Sequence, residues 1–141
     1  MKRIALTLIV ALLALPAVAM AKADLVVVTD APPKSMNPHA FSSDANLSYM
    51  SNFFDGLLQR PAPDGKLSPA LAVKWERLDG TTWKFDLRKG VKFHNGNGFT
   101  AADVKFTFER MKDPQYSKLL NIANAIASIE TPDDYTVIFK T

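Results

Sequence analysis

Residues 75–110 read WERLDGTTWKFDLRKGVKFHNGNGFTAADVKFTFER, and this stretch decides the fold. Trp83, Phe85 and Leu87 are apolar at every second position, with Thr82, Lys84, Asp86 and Arg88 around them. Period 2 predicts a strand with one buried and one wet face. The preceding run 72–78, AVKWERL, is its predicted partner. Asp79-Gly80 between them predicts a hairpin turn in which glycine supplies a positive φ. Gly90 and then Asn95-Gly96-Asn97-Gly98 break the chain again. A helix is predicted to start at Thr100, whose hydroxyl can accept the Asp103 N–H while the Asp103 carboxylate suits the helix dipole. Val104, Phe106 and Phe108 also alternate, which would suit a strand. The cap and the i, i+4, i+7 spacing of Val104, Phe108 and Met111 favour a helix over about residues 101–112.

The same stretch resembles the signature region of the family 5 extracellular solute-binding proteins, the dipeptide-, oligopeptide- and nickel-binding components of bacterial ABC importers. The resemblance rests on Trp75, Asp79-Gly80, the run Leu87-Arg88-Lys89-Gly90-Val91-Lys92-Phe93-His94, Phe99-Thr100-Ala101, Asp103-Val104, Phe106 and Arg110. Asn97-Gly98 departs from it, because the family more often has a threonine or small residue followed by proline there. The resemblance implies a ligand enclosed between two lobes, permease subunits in the membrane as partners, and no chemistry performed on the solute.

At the amino terminus, Met1-Lys2-Arg3 precedes an apolar run from Ile4 to Leu15, and Ala17-Val18-Ala19-Met20-Ala21 offers small residues for cleavage. This pattern predicts a secretory signal peptide over 1–21, with cleavage after Ala21 favoured over Ala19 or Ala23. The run falls short of the ~20 apolar residues of a membrane-spanning helix, so no membrane insertion is expected after cleavage. Taking Lys2 and Arg3 from the 17 basic residues leaves 15 against 14 acidic ones. The net charge therefore gives no reason to expect nucleic acid as a partner. The 141 residues contain no cysteine. That excludes disulfides and thiolate metal sites. It also removes the residue that a lipoprotein leader needs for lipid attachment, and the expected location is the periplasm.

The rest of the chain extends the pattern. Leu25 to Thr29 predicts a strand buried on both faces. Residues 31–43 predict a loop, with Met36-Asn37-Pro38 where the family has "LNP" or "LDP". Leu47, Met50, Phe54 and Leu57 form a helical stripe over 46–58 with Gly56 as its stop. Phe53 to Leu58 is similar to the family's step ending in "GL". Pro63-Asp64-Gly65 predicts a turn, and Ser68-Pro69-Ala70-Leu71-Ala72 resembles the family's step into the Trp75 strand. A short helix is predicted within 118–128, a turn at Thr131-Pro132-Asp133-Asp134, and a final strand over 135–140.

Together these predict an α/β chain: a partial amino-terminal lobe, 22–141, of a periplasmic binding protein-like fold with a mixed sheet. The resemblance spans nearly all of this sequence but only about the opening quarter of the family's length, so a fragment is expected.

Candidate sites are few. The sequence has no Gly-x-Ser-x-Gly elbow, cysteine nucleophile or P-loop, so no catalytic residue is assigned. His39 and His94 lie far apart without metal-ligand spacing, and no metal or cofactor is expected. Ser42, Ser43 and Asp44 could bond a small-molecule or peptide ligand, or Ser43 or Asp44 could cap the following helix. Tyr49 and Tyr116 could line a cleft. Trp75, Trp83, Phe85, Phe93, Phe106 and Phe108 are expected in the core. The competing reading is a secreted enzyme or interaction domain on the same scaffold, which a hydrolase assay would separate.

Overall fold

A computed structural model describes residues 35–40, 43–60 and 65–141, without the side chains of Asp44 and Ala45. The leader over 1–21 and the strand expected at 25–29 lie outside the described residues. Of the Pro63-Asp64-Gly65 turn only Gly65 is described, at φ +65°.

The elements are α1 (Asp44–Met50), β1 (Leu58–Gln59), β2 (Ser68–Pro69), β3 (Ala72–Arg77), β4 (Thr82–Leu87), α2 (Ala101–Met111), α3 (Leu120–Asn124), β5 (Ser128–Asp133) and β6 (Thr136–Lys140). Strands β3-β4-β6-β5 form one sheet in that order, and β1-β2 form a small second one. Every pairing among these strands is antiparallel.

Register sorts the side chains. Trp75 faces Phe85, Trp83 faces Phe139, Phe85 faces Val137 and Ile129 faces Phe139. These residues share one face. The other face carries Lys74, Glu76, Lys84, Asp86, Glu130 and Lys140, tied by Lys84–Asp86 at 3.2 Å, Lys84–Glu76 at 3.5 Å and Lys140–Glu130 at 2.6 Å. Such exposed pairs contribute little stability. They mark this face as wet, as the alternation predicts.

Helix α2 covers part of the apolar face. Val104 is buried, and Phe108 sets its ring 4.9 Å from that of Phe139, edge-on. Phe139 also meets Phe85 at 5.5 Å. Ala72, Leu87, Phe99, Ala101, Val104, Ile126, Ile129, Val137 and Phe139 make one continuous core. The helix starts as predicted: the Asp103 carboxylate accepts the Thr100 N–H at 2.8 Å and the Thr100 hydroxyl at 3.1 Å. The Ala101 N–H donates to the Asp134 carbonyl at 2.8 Å, which fixes the helix start on the β5–β6 turn.

Several expectations are corrected. Gly80 does not adopt positive φ; among the described residues only Gly65, Gly90 and Gly96 do. The β3–β4 turn is instead held by Asp79, whose carboxylate accepts the N–H groups of Thr81 and Thr82, both at 2.8 Å. The helical stripe over 46–58 ends at Met50, because the Ser51 hydroxyl donates to the Ser48 carbonyl at 2.7 Å and the Asn52 amide donates to those of Ser48 and Tyr49. The short helix expected within 118–128 is present as Leu120–Asn124, whereas the segment read as a turn at 131–134 is largely strand. Pro132 suits that strand because β5 lies at the sheet edge, where a missing N–H costs no ladder bond. Phe106 and Phe93 are not core: they are 61% and 45% exposed.

Candidate functional site

The site begins in a loop that folds around its own side chains. Ser35 Oγ accepts the Asn37 N–H at 3.1 Å, and Asn37 Oδ1 accepts the His39 N–H at 3.0 Å. This Asx-type turn frees the other half of the Asn37 amide. Its Nδ2 donates to the Tyr116 carbonyl at 2.7 Å, and the Lys118 N–H donates to the His39 carbonyl at 2.8 Å. The 35–40 loop is thereby fastened to the segment after α2.

That segment has its own scaffold. Asp113 stops the helix by accepting the Gln115 N–H on its side chain at 2.8 Å and the Tyr116 and Ser117 N–H groups on its carbonyl. Ser117 is almost fully buried, and its hydroxyl accepts the Leu119 N–H at 2.9 Å. Tyr116 remains 41% exposed, with the Arg110 guanidinium 4.5 Å above its ring, an attraction of the cation–π kind. Arg110 acts also on His39. Burial first, and the Arg110 charge second, hold the His39 imidazole below its ordinary value of 6.5.

Of the predicted ligand residues, Tyr116 falls on the fastened 113–118 segment. Ser43 is exposed and occupies the N-cap position of α1, but its side chain makes no capping bond, so the helix does not use its hydroxyl. Tyr49 is half-buried on α1 against Phe53 at 5.4 Å. Ser42 and the Asp44 side chain lie outside the described residues.

Sequence reasoning passes over Asn46. It is 6% exposed on α1, and neither its amide nitrogen nor its oxygen has a hydrogen-bond partner. A buried amide left unpaired is costly and calls for an explanation. Only its position three residues after Ser43 could have flagged it.

Two depressions mark the surface of the described residues. An apolar groove of about 380 Å³ runs along the uncovered part of the sheet, lined by Leu57, Trp75, Trp83, Phe85, Phe108 and Thr141 among others. A larger one, about 700 Å³, lies at the sheet end between Arg88, Lys89, Asp133 and Asp134. There the Asp133 carboxylate accepts the Tyr135 N–H at 2.7 Å, a turn contact rather than catalytic pairing. His94 is exposed, and among the described residues no three potential ligands gather as a metal site.

This fold is shared with solved periplasmic binding proteins. It matches NikZ from Campylobacter jejuni, solved with Ni(L-His), at a TM-score of 0.71 and 30% identity over 79% of this chain and 22% of that one. It matches DppA from Helicobacter pylori, an ABC transporter-associated periplasmic binding protein solved with the peptide STSA, at 0.64 and 32% identity over 77% and 25%. In sequence it is 32% identical to the periplasmic oligopeptide-binding protein OppA of Haemophilus influenzae over 85% of this chain and 26% of that protein. It is 31% identical to the dipeptide-binding protein of Escherichia coli over 82% and 25%. Residues 66–141 match the profile described as bacterial extracellular solute-binding proteins, family 5 Middle. The chain belongs to this family, and it spans about a quarter of the curated relatives it matches.

Proposed function

We propose that these residues form part of the amino-terminal lobe of a periplasmic substrate-binding component of an ABC importer for peptides or related small solutes. The family match carries this reading. Residues 1–21 serve as the signal peptide, residues 22–141 as the lobe segment, and the chain acts by binding without turnover. A ligand would be shared with a second lobe closing by a hinge, and membrane permease subunits would receive it.

On this reading Ser42, Ser43, Asp44, Tyr49 and Tyr116 face the solute. The idle Ser43 hydroxyl and the half-exposed Tyr116 ring support it, because a binding cleft uses a few fixed polar groups and an aromatic wall. The unpaired Asn46 amide adds a buried donor and acceptor on the same helix.

The test is a chimera in which residues 22–141 replace the matching segment of the Escherichia coli dipeptide-binding protein. The chimera is expected to fold, by circular dichroism, and to bind dipeptides, with Tyr116→Ala weakening binding by about tenfold or more. A folded chimera without binding, or an unaltered affinity in the Tyr116→Ala variant, would reject the assignment.

A further inference from the structure

We propose that the apolar groove over β3 and β4 is the seat of a helix, supplied by the polypeptide that follows the position of Thr141 in a chain of the relatives' length. The inference rests on family membership and sheet geometry, not on the solute-binding reading.

A sheet with one apolar face must bury that face against another element. The strand order is β3-β4-β6-β5, and α2 packs on β5 and β6. Neighbouring strands lie about 4.8 Å apart, and a helix with its side chains is roughly 10–12 Å across. One helix therefore covers about two strands, and four strands call for two helices. The floor on β3 and β4 stays open as a groove of about 380 Å³. Trp75, Trp83 and Phe85 line it from the sheet, Phe108 from α2, and Leu57 and Leu67 from the chain before β3. Both tryptophans are only half-buried, and Leu67 is 49% exposed. The open half of the sheet is the width of a second helix beside α2.

Thr141 points to where that helix comes from. It lines the groove itself. Its N–H donates to the Thr81 carbonyl at 2.9 Å and its hydroxyl donates to the same oxygen at 3.1 Å. A polypeptide continuing from there starts at the groove's edge, and consecutive elements are usually neighbours in space. Relatives about four times longer have such a polypeptide to supply. Other occupants fit less well. Residues 22–34 read as a strand and a loop rather than a helix. A second copy could offer α2, but its outward face carries the Lys105–Glu109 pair at 3.9 Å and Arg110. Burying those charges against apolar rings is costly.

The chain carries its own reporters. Trp75 and Trp83 are its two tryptophans, and both line the groove. In the 141-residue chain their emission should be that of solvated indole, readily quenched by acrylamide. The chain is then extended past Thr141 with the about 40 residues that follow the matched segment in the Escherichia coli dipeptide-binding protein, room for a loop and an average helix. The extension should add helical signal by circular dichroism, shift the emission to the blue and reduce quenching several-fold. Leu67→Asp should leave the Tm of the 141-residue chain unchanged, because Leu67 is exposed there. In the extended chain it should lower Tm and restore quenching, because the charge would lie under the helix.

Tryptophans already shielded in the 141-residue chain would overturn the proposal. If that shielding grows with concentration alongside a dimer in sedimentation, the groove belongs to a second copy instead. An extension that adds no helical signal, leaves the emission unmoved or ignores Leu67→Asp would overturn it equally.

Discussion

Asn37 and Tyr116 are 79 positions apart in sequence, yet the side-chain amide of one donates to the carbonyl of the other at 2.7 Å. The same amide's oxygen closes the local turn on His39. Removing it by Asn37→Ala should cost about 1–2 kcal/mol, two hydrogen bonds at roughly 1 kcal/mol each. Asn37→Asp keeps the acceptor and loses the donor, and should fall between the two in urea denaturation. Equal stability for all three chains would show that the fastening contributes nothing.

The two hairpins on either side of the sheet are held by ionised carboxylates. Asp79 lies below its ordinary value of 3.8 because the Thr81 N–H, then the Thr82 contacts, bond to it. Asp133 is lowered chiefly by the Tyr135 N–H. A lowered carboxylate stabilises the fold above the ordinary value, and that contribution is lost as pH falls through the folded one. Stability should therefore decline below about pH 4, with a shallower decline in an Asp79→Asn chain. A decline as steep in that variant as in the parent would exclude Asp79 as a source.

Glycines that look alike in sequence should respond differently. Gly96 holds φ +89° in the turn where its N–H donates to the Phe93 carbonyl at 2.9 Å. Gly96→Ala should cost about 1–2 kcal/mol. Gly80 has no positive φ, and a Cβ added there would meet no atom within 4 Å, so Gly80→Ala should stay within about 0.5 kcal/mol. Denaturation midpoints of the two variants decide the matter.

Aromatic residues divide in the same way. Phe139 is 6% exposed between Phe85 and Phe108, and truncation to alanine should cost about 3–5 kcal/mol. That is a large part of the stability of a small domain. Phe106, 61% exposed on α2, should tolerate alanine within about 0.5 kcal/mol. A comparable loss at both positions would contradict the assigned faces of α2.

Most of the sheet was legible because period 2 marks a half-buried strand wherever it occurs. Trp83, Phe85 and Leu87 do point to one face, and Thr100 with Asp103 does start a helix. The failures share a physical origin. Pro132 reads as a chain breaker only if the strand is internal, and edge position is a tertiary fact that no local pattern carries. Asp79-Gly80 marked a turn correctly, but the carboxylate organises it rather than the glycine. Phe106 lies in an alternating run that also fits a helix, and only the helix choice turns it outward. Ser43 and Tyr116 were candidates by residue type alone. The attachment of Tyr116 to the 35–40 loop was not legible, because it depends on the Asn37 and His39 contacts across the fold.

The central claim is that these residues supply one side of a two-sided solute trap. Thermal unfolding of the 141-residue chain with and without saturating pools of di-, tri- and oligopeptides tests it most directly, since any ligand of the folded state raises Tm by mass action. The account predicts no rise for this chain alone and a clear rise for a chain of the relatives' full length that contains it. A ligand-dependent rise in the 141-residue chain by itself would contradict the claim.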